Sequence, residues 1–118
     1  MSNWETIHET THEGFDIVVS VAPETDDPRD HFAYENEEDN ERIITDIDSG
    51  ALDWFVVRVQ AFRAGVLLGE DYLGACCYRS VEDFITPGEG YYQDMVDQVT
   101  CEAKDTLKAL TESAEALA

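Results

Sequence analysis

Two stretches of the chain alternate between apolar and other residues, and this period of two constrains the fold more than any other feature. The first runs from Phe15 to Ala22 and the second from Trp54 to Ala61. Successive side chains of a β-strand point to opposite faces, so a strand with one buried face shows this alternation. Each stretch therefore predicts a strand, and the predicted core faces hold Phe15, Ile17, Val19 and Val21, then Phe55, Val57, Val59 and Ala61.

Turn residues beside these stretches predict two further strands. Residues 4–11 precede Glu13 and Gly14, a turn pair, and we expect them to form a hairpin with the first stretch, which Pro23 ends. After the second stretch the chain is expected to turn between Val66 and Asp71 and to return as a strand from Tyr72 to Tyr78.

The first predicted helix follows a polar loop that runs from Glu24 to Glu35. Asn36 is a suitable N-cap, acidic residues follow in the first turn, and Gly50 is a natural C-terminal stop. Its apolar stripe is narrow and consists of Ile43, Ile44 and Ile47.

The last predicted helix begins near Thr86, where Pro87 and Glu89 complete a capping pattern, although Gly88 and Gly90 favour a later start. Apolar residues then recur at spacings of three and four, which predicts one continuous apolar stripe along the helix. The stripe consists of Tyr92, Val96, Val99, Ala103, Leu107, Leu110, Ala114 and Leu117.

This order of elements, strand-strand-helix-strand-strand-helix, predicts a single α+β domain over residues 1–118. Tight turns between strands indicate a four-stranded antiparallel sheet, and we expect both helices to pack on one face of it. The other face would present Trp54, Arg58 and Gln60 to solvent or to a second copy, so a homodimer through the sheet face is a further expectation.

Acidic residues dominate the charge of the chain. It carries 27 acids and 7 bases, a net charge of -20, and mutual repulsion works against the compact state. Eleven of the acids lie between Glu24 and Asp48, against only Arg29 and Arg42. Because 43% of the residues are hydrophobic and 10% aromatic, we nevertheless expect a folded domain rather than disorder.

The same composition excludes several classes of protein. A net charge of -20 repels the phosphate backbone, so direct nucleic-acid binding is disfavoured. Since no apolar run approaches about 18 residues and the N-terminus does not resemble a signal peptide, we expect no membrane contact and a cytoplasmic location. Cys76, Cys77 and Cys101 fit that compartment as reduced thiols.

The motif that most resembles a catalytic site is His8-Glu9-Thr10-Thr11-His12, which matches the H-E-x-x-H pattern of zinc proteases. That chemistry needs a helix, whereas this segment is expected to be a strand, on which the two histidines would lie about 13 Å apart. The acids at 26, 27 and 30 do not match the calcium loop of an EF-hand. We therefore expect no enzyme activity, no metal and no cofactor.

The acidic segment itself is the best candidate site. Acids three and four residues apart on a helix stand about 5 to 6 Å from each other and could imitate the phosphates of DNA toward a basic groove. Halophilic or generic acidity of a binding or assembly module is the alternative, although residues 1–50 hold fifteen acids and residues 51–118 only twelve. The predicted partner-binding residues are Asp26, Asp27, Asp30, Glu35, Glu37, Glu38, Asp39, Glu41, Asp46 and Asp48.

A resemblance bears on the partner. Three segments of the C-terminal half, residues 71–76, 80–84 and 90–96 (DYLGAC, SVEDF and GYYQDMV), resemble small uncharacterised phage and prophage proteins. In charge and size the chain is similar to phage-encoded DNA-mimic inhibitors of CRISPR and restriction systems. This resemblance implies a basic DNA-binding protein or ribonucleoprotein of the host as partner, and it carries no functional residue over.

Overall fold

The computed structural model describes residues 3–28, 37–86 and 90–117, and it is an α+β fold with a four-stranded antiparallel sheet, as predicted. The strands lie in the order β1-β2-β3-β4. Along the chain the elements are β1 (Glu5–His12), β2 (Phe15–Pro23), α1 (Glu37–Ser49), β3 (Asp53–Arg63), β4 (Val66–Tyr78), a short 3-10 helix (Val81–Ile85) and α2 (Gly90–Leu117). No helix in these described ranges is long and apolar enough to cross a membrane.

Both hairpins close through two-residue turns with positive φ, at Glu13 and Gly14 (49° and 86°) and at Ala64 and Gly65 (53° and 77°). Such turns match the right-handed twist of the flanking strands. The first turn confirms the prediction, but the predicted turn between Val66 and Asp71 is wrong. β4 already begins at Val66, because the turn is completed by an alanine in a conformation that usually requires glycine.

The core lies between one face of the sheet and α2. The predicted core residues of β2 and β3 are all buried, and from α2 they meet Met95, Val96, Val99 and Ala103. Gly69 on β4 is buried under this helix, and a Cβ built there would overlap the backbone carbonyl oxygen of Val99. The helix backbone therefore rests directly on β4 at a position where any side chain interferes.

The structure of α2 differs from the prediction in two ways, at its N-cap and in how much of its apolar stripe is buried. Thr86 ends the 3-10 helix, so the predicted cap at this residue is wrong and α2 begins at Gly90. Pro87 and Glu89 lie outside the described residues. At the other end, α2 continues beyond the sheet, and residues 108–117 are all exposed. Only the first part of the predicted stripe is therefore core.

The sheet face away from α2 is partly covered by its own side chains. The guanidinium of Arg58 lies 4.4 Å from the ring centre of Trp4, and Gln60 donates a hydrogen bond of 2.8 Å to Glu70. Beneath them Ser20 is 1% exposed. Trp54, Arg58 and Gln60 are thus half-buried rather than openly displayed as expected, and a homodimer through this face stays a prediction.

α1 is attached to the rest of the fold by few apolar contacts. Its Ile44 is buried but does not belong to the main core cluster, and Ile43 and Ile47 are half-buried. Gly50, with φ of 83°, ends the helix as predicted, and the amide of Leu52 donates to the carbonyl oxygen of Asp46 at 2.9 Å. That α1 packs on the same face as α2 stays a prediction.

Candidate partner-binding surface

The described part of the predicted acidic surface is built from the loop after β2 (residues 24–28) and from α1. Because β2 runs toward this loop and β3 departs from just behind α1, both segments lie at the same end of the sheet, which we call the acidic end. Its exposed predicted residues are Asp26, Asp27, Glu38, Asp39, Glu41 and Asp48, while Asp46 is half-buried. Glu37 is the first residue of α1, and Asp30 and Glu35 lie outside the described residues.

The loop of the acidic end is held by two residues that the sequence did not single out as anchors. The indole N–H of Trp54 donates to the carbonyl oxygen of Asp26 at 2.9 Å. The two carboxylate oxygens of Glu24 accept from the amides of Ala75 and Asp26, at 2.8 and 3.1 Å. Glu24 is therefore an anchor, and it uses its charge to bind the backbone rather than to display it.

The positive φ of Ala75 explains why an acidic side chain binds there. Ala75 (φ of 55°) lies where the register between β3 and β4 shifts, so its amide is turned away from the regular ladder. A hydrogen bond to a charged acceptor is stronger than one to a neutral group. The bulge and Glu24 thus fix the loop to β4, a link of 51 residues along the chain that no local pattern reveals.

On α1 the carboxylates follow the polar side of the helix. Glu41 and Asp48 are seven residues apart, close to two turns, so they share one side, and Asp39 and Asp46 share another. Thirteen residues of helix span about 20 Å. The six acids of α1 therefore give one carboxylate per about 3.3 Å of axis, close to the 3.4 Å per charge of a single DNA strand.

Little compensates this charge within α1. Arg42 is the one base of the helix, and its guanidinium lies 3.9 Å from the carboxylate of Asp39, with both side chains more than half exposed. An exposed pair of this kind contributes about 0 to 1 kcal/mol and is screened by salt. The helix keeps a net charge of -5 from six acids and one base.

The H-E-x-x-H segment lies on β1 and not on a helix. His8 pairs with Val19 and its ring packs edge-on against Tyr92, with ring centres 6.3 Å apart, while the Nε2 of His12 is 3.6 Å from Asp97. Within residues 3–28, 37–86 and 90–117 there is no group of three or more His, Cys, Asp and Glu side chains able to hold a metal.

Both thiols of β4 have raised pKa values, so little of the nucleophilic thiolate forms. Burial raises the pKa of Cys76 to about 11, with a smaller contribution from the charge of Glu24. Burial also raises the pKa of Cys77, and the charge of Asp46 adds to it. Burial is the larger cause of both shifts, and the neighbouring acids raise both pKa values further.

At the opposite end of the sheet, three of the seven bases of the chain come together. Lys104 donates to Glu13 at 2.9 Å, and the guanidinium of Arg63 lies 4.8 Å from the ring centre of Phe15. With Lys108 they line a groove between α2 and the tips of the hairpins, and Glu13, Glu112 and Glu115 line the same groove, so its acids and bases are equal in number. This groove was not predicted, because Arg63 precedes Lys104 by about forty residues and the two meet only through the packing of α2.

Comparison of the chain with protein-family models, with curated proteins and with solved structures gave no match.

Proposed function

We propose that this protein is an acidic DNA mimic that occupies the DNA-binding groove of a basic partner. The observation that carries the proposal is the acidic end, where α1 holds six acids along about 20 Å of axis, close to the linear charge density of one DNA strand, and where Glu38, Asp39, Glu41 and Asp48 are exposed. A groove that binds DNA offers Lys and Arg placed for such an array, so it meets α1 without needing any sequence readout. No catalytic step, metal or cofactor enters this proposal.

The partner of the proposal is a DNA-binding protein or ribonucleoprotein of a host defence system, in the host cytoplasm. The resemblance to phage proteins supports a CRISPR surveillance complex or a restriction enzyme as the class of target. Complementary charge increases the rate of association and makes it strongly dependent on salt. A mimic of this kind is an inhibitor, since it excludes the DNA that the same groove binds.

The decisive experiment neutralises α1 and compares it with an equally neutralised α2. One variant carries the substitutions Glu38→Gln, Asp39→Asn, Glu41→Gln and Asp48→Asn. The control variant carries Asp94→Asn, Glu102→Gln, Asp105→Asn and Glu112→Gln, so both lose four exposed acids. At about 0.5 to 1 kcal/mol for each charge contact, we expect the α1 variant to bind its partner about 30- to 1000-fold more weakly.

A pull-down from the native host identifies the partner first, and duplex DNA is then added as a competitor. We expect DNA to displace the protein and the control variant to bind within a few-fold of the wild type. Equal weakening by both variants would show that total charge, not α1, drives binding. If the α1 variant binds as tightly as the wild type, or DNA does not compete, the mimic proposal fails.

The second candidate function is a halophilic or generic acidic binding module without mimicry. Exposed acids on α2, among them Asp94, Glu102 and Asp105, and on edge strand β1 favour it, because they extend the charge well beyond the acidic end. Circular dichroism and melting at about 0.05 M and 3 M salt separate the two functions, since only exposed charges respond to screening. Unfolding at low salt with recovery at high salt supports the halophile, whereas a cooperative melt in ordinary buffer supports the mimic.

Two finer structural expectations belong to the proposal. The mimic needs the polar side of α1 to face solvent, whichever face of the sheet its isoleucines cover, so packing of both helices on one face is not required. A homodimer through the half-buried outer face, around Trp54, Arg58 and Gln60, is likewise separate from mimicry. A mass measured by light scattering that stays monomeric at high protein concentration would remove this dimer.

A further inference from the structure

An open groove of about 750 Å³ lies on the sheet face away from α2, beside the two hairpin turns. Residues of β1, β2 and β3 and of the turn between β3 and β4 line it. Asp16 and Val18 alternate along β2 with the buried Phe15, Ile17 and Val19, so their side chains face away from the core. The groove is therefore separate both from the core and from the acidic end, which lies at the other end of the sheet.

The strand register arranges the side chains of this groove in two rows. Asp16 pairs with Thr11 of β1 on one side and with Phe62 of β3 on the other. In the next row Val18 pairs with Glu9 of β1. Glu9 and Asp16 are thus diagonal neighbours, a relation that separates two residues by about 7 to 8 Å. Thr11 and Val18 occupy the other diagonal, so the apolar parts of their side chains lie beside the line that joins the two carboxylates.

The charge of the groove is entirely negative. Glu9 and Asp16 are its charged lining residues, and both are exposed. Within the described residues neither carboxylate takes part in a hydrogen bond or an ion pair. Arg58, further along the same face, stacks on the ring of Trp4 and pairs with neither of them. Two uncompensated carboxylates on an apolar background favour a ligand that combines positive charge at two points with an apolar body.

We propose that this groove binds a linear aliphatic diamine, with one ammonium group on Glu9, the other on Asp16, and the methylene chain across Thr11 and Val18. Extended diamines with four or five methylene groups place their nitrogens about 6 to 7.5 Å apart, since bonds near 1.5 Å advance the chain by about 1.25 Å each. This length matches the diagonal between the two acids. The ammonium beside Asp16 also meets Phe62, whose aromatic ring attracts a cation.

Other cations fit the groove less well. Mg²⁺ and Ca²⁺ take six or more oxygen ligands, and the described residues include no third His, Cys, Asp or Glu side chain that joins the two acids as a metal-binding group. A single lysine-like ammonium pairs with one carboxylate and leaves the other without a partner. A diamine pairs with both and covers apolar surface between them, which water otherwise contacts.

Titration of the isotope-labelled protein with 1,5-diaminopentane, followed by NMR, tests the site. We expect saturable shifts of the amides of residues 9, 11, 16, 18 and 62, with a dissociation constant of about 1 mM, which is typical of a ligand of so few atoms. Mg²⁺ and 1,3-diaminopropane carry the same charge in a different shape. They should bind at these amides about fivefold more weakly, because attraction to net charge alone does not depend on the length of the ligand.

Matched variants test the two carboxylates. Glu9→Gln and Asp16→Asn should each weaken the binding of 1,5-diaminopentane about fivefold, the loss expected for one exposed charge contact. The control Glu5→Gln removes the same charge from an exposed position of β1. Glu5 pairs with the buried Val21, on the other side of the strand, so this variant should bind within about twofold of the wild type. The spectrum of each variant without ligand checks its fold.

Pentylamine separates a diamine site from a site for one lysine-like cation, because it has the same chain and a single ammonium group. It should bind about fivefold more weakly than 1,5-diaminopentane. Equal binding of pentylamine or Mg²⁺ at the same amides, equal losses in Glu9→Gln and Glu5→Gln, or the absence of saturable shifts would each overturn the proposal. The α1 variant with four neutralised acids should bind the diamine as the wild type does, so the result is independent of the proposed mimicry.

Discussion

The two α-helices are both amphipathic in sequence but differ in what they contribute. The first part of α2 places Met95, Val96, Val99 and Ala103 in the main core, and the sheet closes over them. α1 buries only Ile44, outside that cluster. One helix thus holds the fold together, whereas the other contributes little to the core and carries a net charge of -5 on thirteen residues.

The width of the apolar stripe accounts for the difference. Three isoleucines on thirteen residues bury little surface, and each fully buried aliphatic side chain stabilises by about 1.5 to 3 kcal/mol. Because α1 contributes little of the stabilisation that comes from buried apolar side chains, its acids can repel one another without unfolding the domain. The main core and the densest charge are therefore located in different parts of the molecule, and the following substitutions test that difference.

The largest effect is expected where α2 rests on β4. Gly69→Ala introduces a Cβ that overlaps the backbone of Val99, so the helix must move away from the core. We expect a loss of about 3 kcal/mol or more of unfolding free energy, measured by urea denaturation. In the control Gly74→Ala, on the same strand, the new Cβ meets only a carboxylate oxygen of Glu24 at 3.1 Å, which must shift by a few tenths of an ångström, and a loss below about 1 kcal/mol is expected. Equal losses would contradict the close approach.

Truncating one isoleucine in each region sharpens the comparison. Ile17 is 0% exposed in the main core. The substitution Ile17→Ala should lower the unfolding free energy by about 3 to 4 kcal/mol, because the cavity cannot be refilled. Ile44 is 9% exposed and lies outside the main core cluster, so Ile44→Ala should cost about 2 kcal/mol, the lower end of the usual range. The same denaturation assay measures both. If Ile44→Ala costs as much as Ile17→Ala, α1 belongs to the cooperative core.

The pKa of Cys76 predicts how stability depends on pH in the core. Burial raises this pKa from 9.0 to about 11, so the unfolded thiol loses its proton at lower pH than the folded one. The corresponding stability is fully present below about pH 9 and is lost between pH 9 and 11. It amounts to about 1 to 2 kcal/mol after allowance for solvent screening. Unfolding at several pH values should show a shallower decline for Cys76→Ala than for the wild type.

The smallest effect on stability is expected at the acidic end. The four α1 substitutions Glu38→Gln, Asp39→Asn, Glu41→Gln and Asp48→Asn relieve like-charge repulsion, so the unfolding free energy, measured by urea denaturation, should stay the same or rise by at most about 1 kcal/mol in low salt. The gain should disappear in about 1 M salt, where charges are screened within about 3 Å. A clear destabilisation would mean that these acids have structural roles.

Local patterns predicted the elements that depend on local chemistry. The first hairpin, the alternating core of β2 and β3, and Gly50 at the end of α1 are all confirmed, because turn conformation and side-chain period are properties of a few neighbouring residues. The start of β4 was missed. Gly69 lies within the turn predicted between Val66 and Asp71. A glycine is needed there because the backbone of Val99 in α2, 30 residues further along the chain, lies against it.

The sequence predicted which acids belong to the candidate site, but not the contacts that hold its loop. The exposed acids of α1 follow from the sequence, whereas Glu24 could not be told apart from its acidic neighbours until its partner, the amide of Ala75, was known. The stripe of α2 was likewise predicted as one continuous surface. The end of the sheet beneath this stripe is set by the length of the strands and by the Ala64–Gly65 turn. The periodicity of the helix gives no information about either.

The bond between the Trp54 indole and the loop has a consequence for how this surface can evolve. Trp54 binds the backbone carbonyl oxygen of Asp26, and Glu24 accepts from the backbone amides of Asp26 and Ala75. All three bonds engage the main chain, so the path of the loop depends on the residues at 24 and 54. A randomised library selected for folding should therefore accept few residues other than Glu at 24 and Trp at 54.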